Sequence, residues 1–247
     1  MTDKTYSGRT ALVTGASAGI GREIAQHLLD QGCHVISAAR RPLNIASDYV
    51  TSYEVDLADR AAVQAFAKTI AADHAVDILV NNAGVVRNTP VEDVSGEEFD
   101  LLQELHLFTA IQLAQAVIPN MKAQGFGRIV NMSSRAVVGM QQRTVYAATK
   151  AAIMSMTRTW ALELGPSGIT VNAIAPGIVM TDMVAPDIPA GGEKARAIAA
   201  SLPRRRLGKA DDIARATLFF TDPRNDWVTG QTLFVCGGAS LASTAVI

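Results

Sequence analysis

The 247-residue sequence has little that would indicate a secreted, membrane or nucleic-acid-binding protein. Its two cysteines, Cys33 and Cys236, are too few for a disulfide framework, and neither has a second Cys or His at metal-ligand spacing. Lys and Arg number 22 against 23 Asp and Glu, so a net charge of −1 gives no field that attracts nucleic acid or an anionic membrane. We therefore predict a cytoplasmic protein that binds neither.

No segment has the composition of a targeting or membrane-spanning sequence. Residues 1–9 are polar, and no run reaches the roughly 18 uninterrupted apolar residues of a membrane span. Aromatic residues are scarce at 5%, but hydrophobic residues reach 49%, which is too apolar for disorder and enough for a large core. No repeat, charge block or Ser/Gly linker marks a boundary, so we predict one domain over residues 1–247.

Short apolar runs alternate with longer segments of helical spacing. Seven runs are predicted strands: Thr10–Val13, His34–Ala38, Ser52–Val55, Ile78–Val80, Arg128–Met132, Thr170–Ile174 and Thr232–Val235. The predicted helices are a first one with the stripe Ile20, Ile24 and Leu28, and then Ala61–Ala72, Gly96–Lys122, Tyr146–Leu164 and Asp211–Phe220. Most strands are continuously apolar, as in a parallel sheet covered on both faces, so the predicted class is α/β.

The segment Pro176–Pro203 differs from the rest of the chain. It carries several prolines and glycines and has only weak periodicity. Such a long connection in a compact domain is usually functional. We predict a substrate loop over about residues 176–203.

A glycine-rich segment, Thr14 to Gly21, separates the first predicted strand from the first helix. Its glycines permit a tight turn and close approach of a ligand, and the helix start offers free N–H groups to a pyrophosphate. The spacing Gly-x3-Gly-x-Gly is not the common dinucleotide fingerprint, so a turn without a ligand is the alternative. Asn81 to Gly84, after the fourth strand, is by itself typical of a turn.

Tyr146 and Lys150 lie four residues apart at the start of a predicted helix, which places phenol and ammonium on one face. A cation within about 4–6 Å favours phenolate, so we expect Lys150 to lower the pKa of Tyr146 and make it a proton donor and acceptor. Taken alone, such a pair is more often a solvated helix face. Ser133 and Ser134 end the preceding strand, where capping of the strand end is the alternative.

Together these residues resemble the classical short-chain dehydrogenase/reductase family. The resemblance covers essentially the whole chain through five ordered motifs: Thr14-Gly15-x3-Gly19-Ile20-Gly21, Asn81-Asn82-Ala83-Gly84, a serine, Tyr146-x3-Lys150 and Pro176-Gly177-x3-Thr181. It implies a doubly wound, Rossmann-type sheet and an oxidoreductase that moves a hydride between NAD(P) and a small carbonyl or secondary alcohol. It also implies a homotetramer.

The resemblance also implies roles for individual residues. The coenzyme would be bound by Gly15, Ser17, Gly19, Ile20, Gly21, Asp56, Leu57, Asn82, Ala83, Gly84, Tyr146, Lys150, Pro176, Gly177, Val179 and Thr181. Tyr146 would move the proton, a serine would bond the reacting oxygen, and Lys150 would bond the nicotinamide ribose. We predict Ser134 as that serine from the strand-end pattern, although the usual spacing before the tyrosine indicates Ser133.

Two departures affect the chemistry. The catalytic asparagine of the family, which holds a water in the proton relay, is replaced by His106, and we expect this histidine to bridge the same water and to change charge near pH 6–7. A core histidine outside the relay is the alternative. The second strand ends in Ala39 rather than a carboxylate, and Arg40 follows, so we predict NADP over NAD, with a solvated turn as the alternative for the arginine.

Two function hypotheses result. The first is an NADP-dependent carbonyl reductase or alcohol dehydrogenase acting on a small ketone, sugar or 3-oxoacyl compound. The second, motivated by His106, is a catalytically impaired NAD(P)-binding sensor or scaffold of the same fold. Residues of Arg135–Thr144, among them Arg135 and Arg143, hint at a polar or anionic substrate but do not identify it.

Overall fold

A parallel seven-stranded sheet forms the centre of the computed structural model, which describes residues 4–182 and 184–241. The strands are β1 (Thr10–Thr14), β2 (His34–Ala39), β3 (Val50–Glu54), β4 (Ile78–Asn81), β5 (Gly127–Met132), β6 (Ile169–Pro176) and β7 (Thr232–Val235). Their spatial order is β3-β2-β1-β4-β5-β6-β7, and every neighbouring pair is parallel. The predicted α/β class and doubly wound sheet are confirmed.

Helices cover both faces of the sheet. They are α1 (Gly19–Asp30), α2 (Arg60–Asp73), α3 (Gly96–Gln103), α4 (Thr109–Gln124), α5 (Thr144–Leu164), α6 (Glu193–Ser201) and α7 (Ala210–Thr221). Because side chains alternate along a strand, each strand feeds two cores. Val13 packs with α1 and α7 on one face, whereas Leu12 packs with α2, α4 and α5 on the other, and both are fully buried.

The order of the strands creates a crevice at the carboxyl edge of the sheet. The chain runs outward from β1 to β3, then returns to β4 beside β1 and continues in the opposite direction to β7. The segments that follow β1 and β4 therefore leave the sheet side by side and diverge. Open parallel sheets bind ligands at such a switch point.

Two predicted segments differ from the structure. The predicted helical segment Gly96–Lys122 is confirmed as Gly96–Gln124, but a π-helical turn, Glu104–Phe108, lies within it between α3 and α4. A π turn inserts an extra residue and rotates the side chains after it, which hydrophobic spacing does not reveal. The connection after β6 contains α6, whose Ala195 and Ile198 pack with Ile188 in a small core of their own.

Residues Gly96–Gln124 are long and apolar enough to cross a membrane by length and composition alone. In the fold, α4 packs against α2 and the sheet, with Leu113, Val117 and Met121 fully or almost fully buried. The protein core thus accounts for part of the apolar composition of this segment, since 39% of its most apolar stretch is buried. Cys33 and Cys236 are both buried and free.

Candidate active site

The glycine loop after β1 is shaped by close backbone contacts. Gly15 and Gly19 have positive φ angles of 66° and 54°, which glycine adopts without strain. A Cβ on Gly21 would collide with the Gly15 carbonyl oxygen and lie 2.5 Å from Nδ2 of Asn82. The spacing of these glycines is therefore required by the packing of the loop against the first turn of α1.

The start of α1 has the properties of an anion site. Its N-cap, Ala18, offers no side-chain acceptor, and its first turn contains no acidic residue. The N–H groups and positive dipole end there have no carboxylate competing for them, which suits a pyrophosphate. Ser17 and Ile20 lie in this same segment, both only partly buried.

The loop after β4 is tied to the glycine loop by Thr14. The Thr14 hydroxyl accepts hydrogen bonds from the backbone N–H groups of Asn82 and Ala83, both at 2.9 Å. Nδ2 of Asn82 donates in return to the Thr14 carbonyl oxygen at 2.9 Å. Thr14 is thus a positioning residue that the sequence analysis did not assign a role. Its position directly before Gly15, at the end of the first strand, is the signal that could have indicated it.

The remaining predicted coenzyme residues lie around the same edge. A Cβ on Gly19 would stand 3.2 Å from Cγ2 of Thr181, so the segment after β6 reaches the glycine loop. Val179 is buried in that segment and forms an isolated bridge with Gly208. Pro176 ends β6, Gly177 packs against Cys236, Asp56 and Leu57 follow β3, and Arg40 is exposed directly after β2. These positions fit an extended dinucleotide.

The two consecutive serines have different partners. The Ser133 hydroxyl is buried and donates to the Lys150 carbonyl oxygen at 2.8 Å. The Ser134 hydroxyl accepts from the Ala136 N–H at 3.1 Å and faces the phenol of Tyr146. Ser134 is therefore the serine placed beside the tyrosine, whereas Ser133 fastens the strand end to α5.

Burial dominates the protonation of Tyr146 and Lys150. Burial raises the pKa of the Tyr146 phenol, with the Ser134 hydrogen bond and the Arg143 charge acting in the opposite direction. The expectation that Lys150 lowers the pKa of Tyr146 is thus wrong. The Lys150 ammonium, 5.9 Å from the phenol ring centre, donates to the Met132 carbonyl oxygen at 2.8 Å, and burial lowers its own pKa to about 7.

His106 lies in the π turn with both ring nitrogens engaged. Nε2 accepts from the Val85 N–H at 3.3 Å, so the ring proton is on Nδ1, which donates to the Thr149 hydroxyl at 2.9 Å. Burial, followed by the charge of Lys150, lowers the His106 pKa to about 2. The expectation of a charge change near pH 6–7 is therefore wrong, because the imidazole stays neutral.

The imidazole also contacts the phenol directly. The rings of His106 and Tyr146 meet edge to face, with centroids 5.7 Å apart. The Thr149 hydroxyl that accepts from His106 donates to the Tyr146 carbonyl oxygen at 3.0 Å. Thr149 was not predicted as a site residue, and only its proximity to Tyr146 in the sequence could have indicated it, whereas Arg143 was named only as a hint of a polar or anionic substrate.

Comparison with known proteins gives a consistent result. The family model described as enoyl-(acyl carrier protein) reductase matches residues 15–240. A curated relative, (2S)-[(R)-hydroxy(phenyl)methyl]succinyl-CoA dehydrogenase subunit BbsD of Thauera aromatica, is 37% identical over 243 residues, covering 94% of this chain and 97% of that protein.

Solved structures agree with these matches. A short chain dehydrogenase/reductase family protein is 34% identical with a TM-score of 0.86, covering 96% of this chain and 100% of its own. A proposed NAD(P)-dependent gluconate 5-dehydrogenase from Beutenbergia cavernae, which contains NADP at low occupancy, is also 34% identical with a TM-score of 0.86, and the alignment covers 98% of this chain and 100% of that one.

Proposed function

Because this chain belongs to the classical short-chain dehydrogenase/reductase family, and is therefore an NAD(P)-dependent oxidoreductase, we propose that it interconverts a small ketone and its secondary alcohol with NADP as coenzyme. The Beutenbergia cavernae structure contains NADP, and the name of the Thauera aromatica relative places a secondary alcohol in its substrate. Both observations support the proposal. These relatives are also described as dehydrogenases, which favours an enzyme over a sensor.

One observation carries the assignment of the site. Asn82 joins the two loops, because its Nδ2 donates to the Gly15 carbonyl oxygen and Gly84 follows it by two residues. A Cβ on Gly84 would lie 3.5 Å from the Lys150 ammonium. Lys150 in turn lies beside the ring of Tyr146, which is next to the Ser134 hydroxyl. Phosphate-binding loop and proton-transfer group thus share one crevice. The phenol of the half-buried Tyr146 lies beside Ser134 in this crevice.

When bound, the coenzyme would supply the hydride. The residues of this chain would bind the coenzyme and transfer the proton. The N–H groups at the start of α1 would bind the pyrophosphate, Arg40 would bind the 2′-phosphate, and Lys150 would bond the nicotinamide ribose. Val179 and Thr181 would orient the nicotinamide end.

The substrate oxygen accepts hydrogen bonds from Ser134 and Tyr146. Because burial raises the pKa of Tyr146, its hydroxyl is protonated at neutral pH and can donate to the developing alkoxide during reduction. The reverse reaction requires the same hydroxyl to be deprotonated.

His106 acts as a positioning residue in this proposal. Its neutral ring joins the Val85 backbone, next to Gly84, to Thr149 and the face of Tyr146. It therefore orients the segment that lines the coenzyme site and the helix that carries the phenol. No proton needs to be transferred through the ring.

The proposal extends to assembly and location. Large apolar side chains are exposed on α5, on α7, on β7 and just before β7: Leu162, Phe219, Leu233 and Trp227. Such surfaces suit contacts between copies of the chain. We propose that residues 1–247 fold as one domain, that the protein is a homotetramer, and that it is cytoplasmic. A monomer by light scattering at micromolar concentration would contradict the tetramer.

The experiment follows NADPH oxidation with a panel of small ketones, sugars and oxo acids. Tyr146→Phe is expected to lower kcat by at least about 10²-fold while NADPH still binds, since only the transferable proton is removed. Ser134→Ala is expected to lower activity far more than Ser133→Ala, with folding of each verified by circular dichroism. If no panel compound is turned over, or if Tyr146→Phe retains full activity, the assignment fails.

A further inference from the structure

Arg143 lies beside the loop after β4, three residues before Tyr146. It is the N-cap residue of α5, and its side chain is half-buried. Both hydrogen bonds of its guanidinium are made by Nη1, to the carbonyl oxygens of Arg87 at 3.2 Å and Gln142 at 3.4 Å. The backbone is fixed by a bridge between Thr89 and Arg143, so the cation is anchored to the loop after β4.

No carboxylate of residues 4–182 or 184–241 is in direct contact with the Arg143 guanidinium. Among the described residues, every ion pair joins other groups. Asp187, from the segment between β6 and α6, is close enough for its negative charge to raise the pKa of Arg143. Its Oδ2 accepts a hydrogen bond from Asn88 at 3.3 Å and makes no ion pair with Arg143. A half-buried guanidinium without a bound anion keeps an unfavourable desolvation energy, which a charge-assisted ligand would offset.

Arg143 also faces the proton-transfer group. The charge of Arg143 opposes the rise in the pKa of Tyr146, so guanidinium and phenol are electrostatic neighbours. Because Arg143 caps the helix that carries Tyr146 and precedes it by three residues, one small molecule can contact both side chains.

We propose that Arg143 binds a carboxylate of the substrate, so that the enzyme acts on a short-chain oxo acid and the matching hydroxy acid. This inference rests on the proposed function, because it takes Tyr146 as the group that bonds the carbonyl oxygen. Arg143 is hydrogen-bonded to the Arg87 carbonyl oxygen, and the next residue, Asn88, is hydrogen-bonded to Asp187 of the segment between β6 and α6.

The test compares acids with their neutral esters. The matched pairs are acetoacetate with methyl acetoacetate and levulinate with methyl levulinate, each assayed for kcat/KM with NADPH. The wild type is expected to prefer at least one acid over its ester by about tenfold or more. Arg143→Gln is expected to lower that acid-to-ester ratio by about 10–100-fold, mainly through KM, and Arg143→Lys by less, because a lysine lacks the bidentate fork.

Arg158→Gln is the matched control. It removes the same charge from an exposed position of the same helix, about 22 Å further along by helical rise, and is expected to leave the ratio unchanged. If both esters are used as well as their acids, or if the acid-to-ester ratio is unchanged in Arg143→Gln, the carboxylate site is overturned while the oxidoreductase assignment stands.

A binding measurement separates the two proposals further. Saturation-transfer NMR with pentanoate, which has no carbonyl to reduce, detects the anion site in the NADP-loaded protein without any turnover. The signal is expected in the wild type and in Arg158→Gln and is expected to be lost in Arg143→Gln. Absence of the signal in the wild type rejects the site even if neutral ketones are reduced.

Discussion

Gly84 and His106 are in such close contact that only a glycine fits between the loop after β4 and the π turn. A Cβ on Gly84 would lie 2.9 Å from Nε2 of His106 and 3.5 Å from the Lys150 ammonium. The same Nε2 accepts the N–H of Val85, the next residue of the chain. The imidazole is thus held against the backbone that lines the coenzyme site.

Gly84→Ala is expected to lower kcat at least about tenfold, because the methyl group displaces the imidazole from Val85. Its effect and that of His106→Ala should be less than additive in the double variant, since both disturb one contact. Gly96→Ala, at a glycine with open space around its Cβ position, is the control. Additive losses would show that the two residues act independently.

The pH dependence of kcat/KM should contain no inflection from His106 between pH 5 and 9. Its pKa of about 2 keeps the ring neutral throughout this range. His106→Asn is expected to change the rate but to leave the inflections where they are in the wild type. An inflection near pH 6–7 that disappears in His106→Asn would instead identify the histidine as a proton carrier.

Lys150 should make the stability of the fold depend on pH. Its pKa is about 7 in the folded protein against an ordinary 10.5, so between these values the unfolded chain binds a proton that the folded chain does not. The free energy of unfolding therefore rises with pH in this window, by at most about 1.4 kcal/mol per pH unit for one proton. Below pH 7 the burial penalty of the ammonium is fully present.

Lys150→Met should remove this contribution. The quantity to measure is the free energy of unfolding of the variant minus that of the wild type, from urea denaturation. This difference is expected to be more favourable to the variant at pH 6.5 than at pH 9.5. Comparing two pH values cancels the constant effect of leaving the Met132 carbonyl without its donor. Lys122→Met controls for charge removal at an exposed site. A stability difference that is the same at both pH values would refute the buried-ammonium assignment.

Arg40→Gln should raise the KM for NADPH at least about tenfold and change the KM for NADH little, because only NADPH carries the 2′-phosphate. Arg41→Gln tests the adjacent exposed arginine, which is expected to matter less. Coenzyme KM values for both variants, measured with one substrate, decide the point. Equal effects on NADPH and NADH would place Arg40 outside the phosphate site.

Sequence pattern alone determined the class of the fold and the order of its elements. Runs such as Ile78–Val80 are continuously apolar because a parallel sheet is covered on both faces, and the glycines of residues 15–21 are dictated by turn geometry that no other residue satisfies. These features are local, so they can be recognised from neighbouring residues. The motif residues at the carboxyl edge are placed together by the strand order that such a pattern implies.

Only the tertiary structure decided how the site residues act on one another. Spacing placed Tyr146 and Lys150 on one helix face but could not show that burial, more than charge, controls both pKa values. It also could not show that His106 is neutral, since the Val85 N–H and the surrounding core arrive from elsewhere in the chain. Desolvation and hydrogen bonding depend on what packs around a group in space, and that information is not contained in the residues beside it.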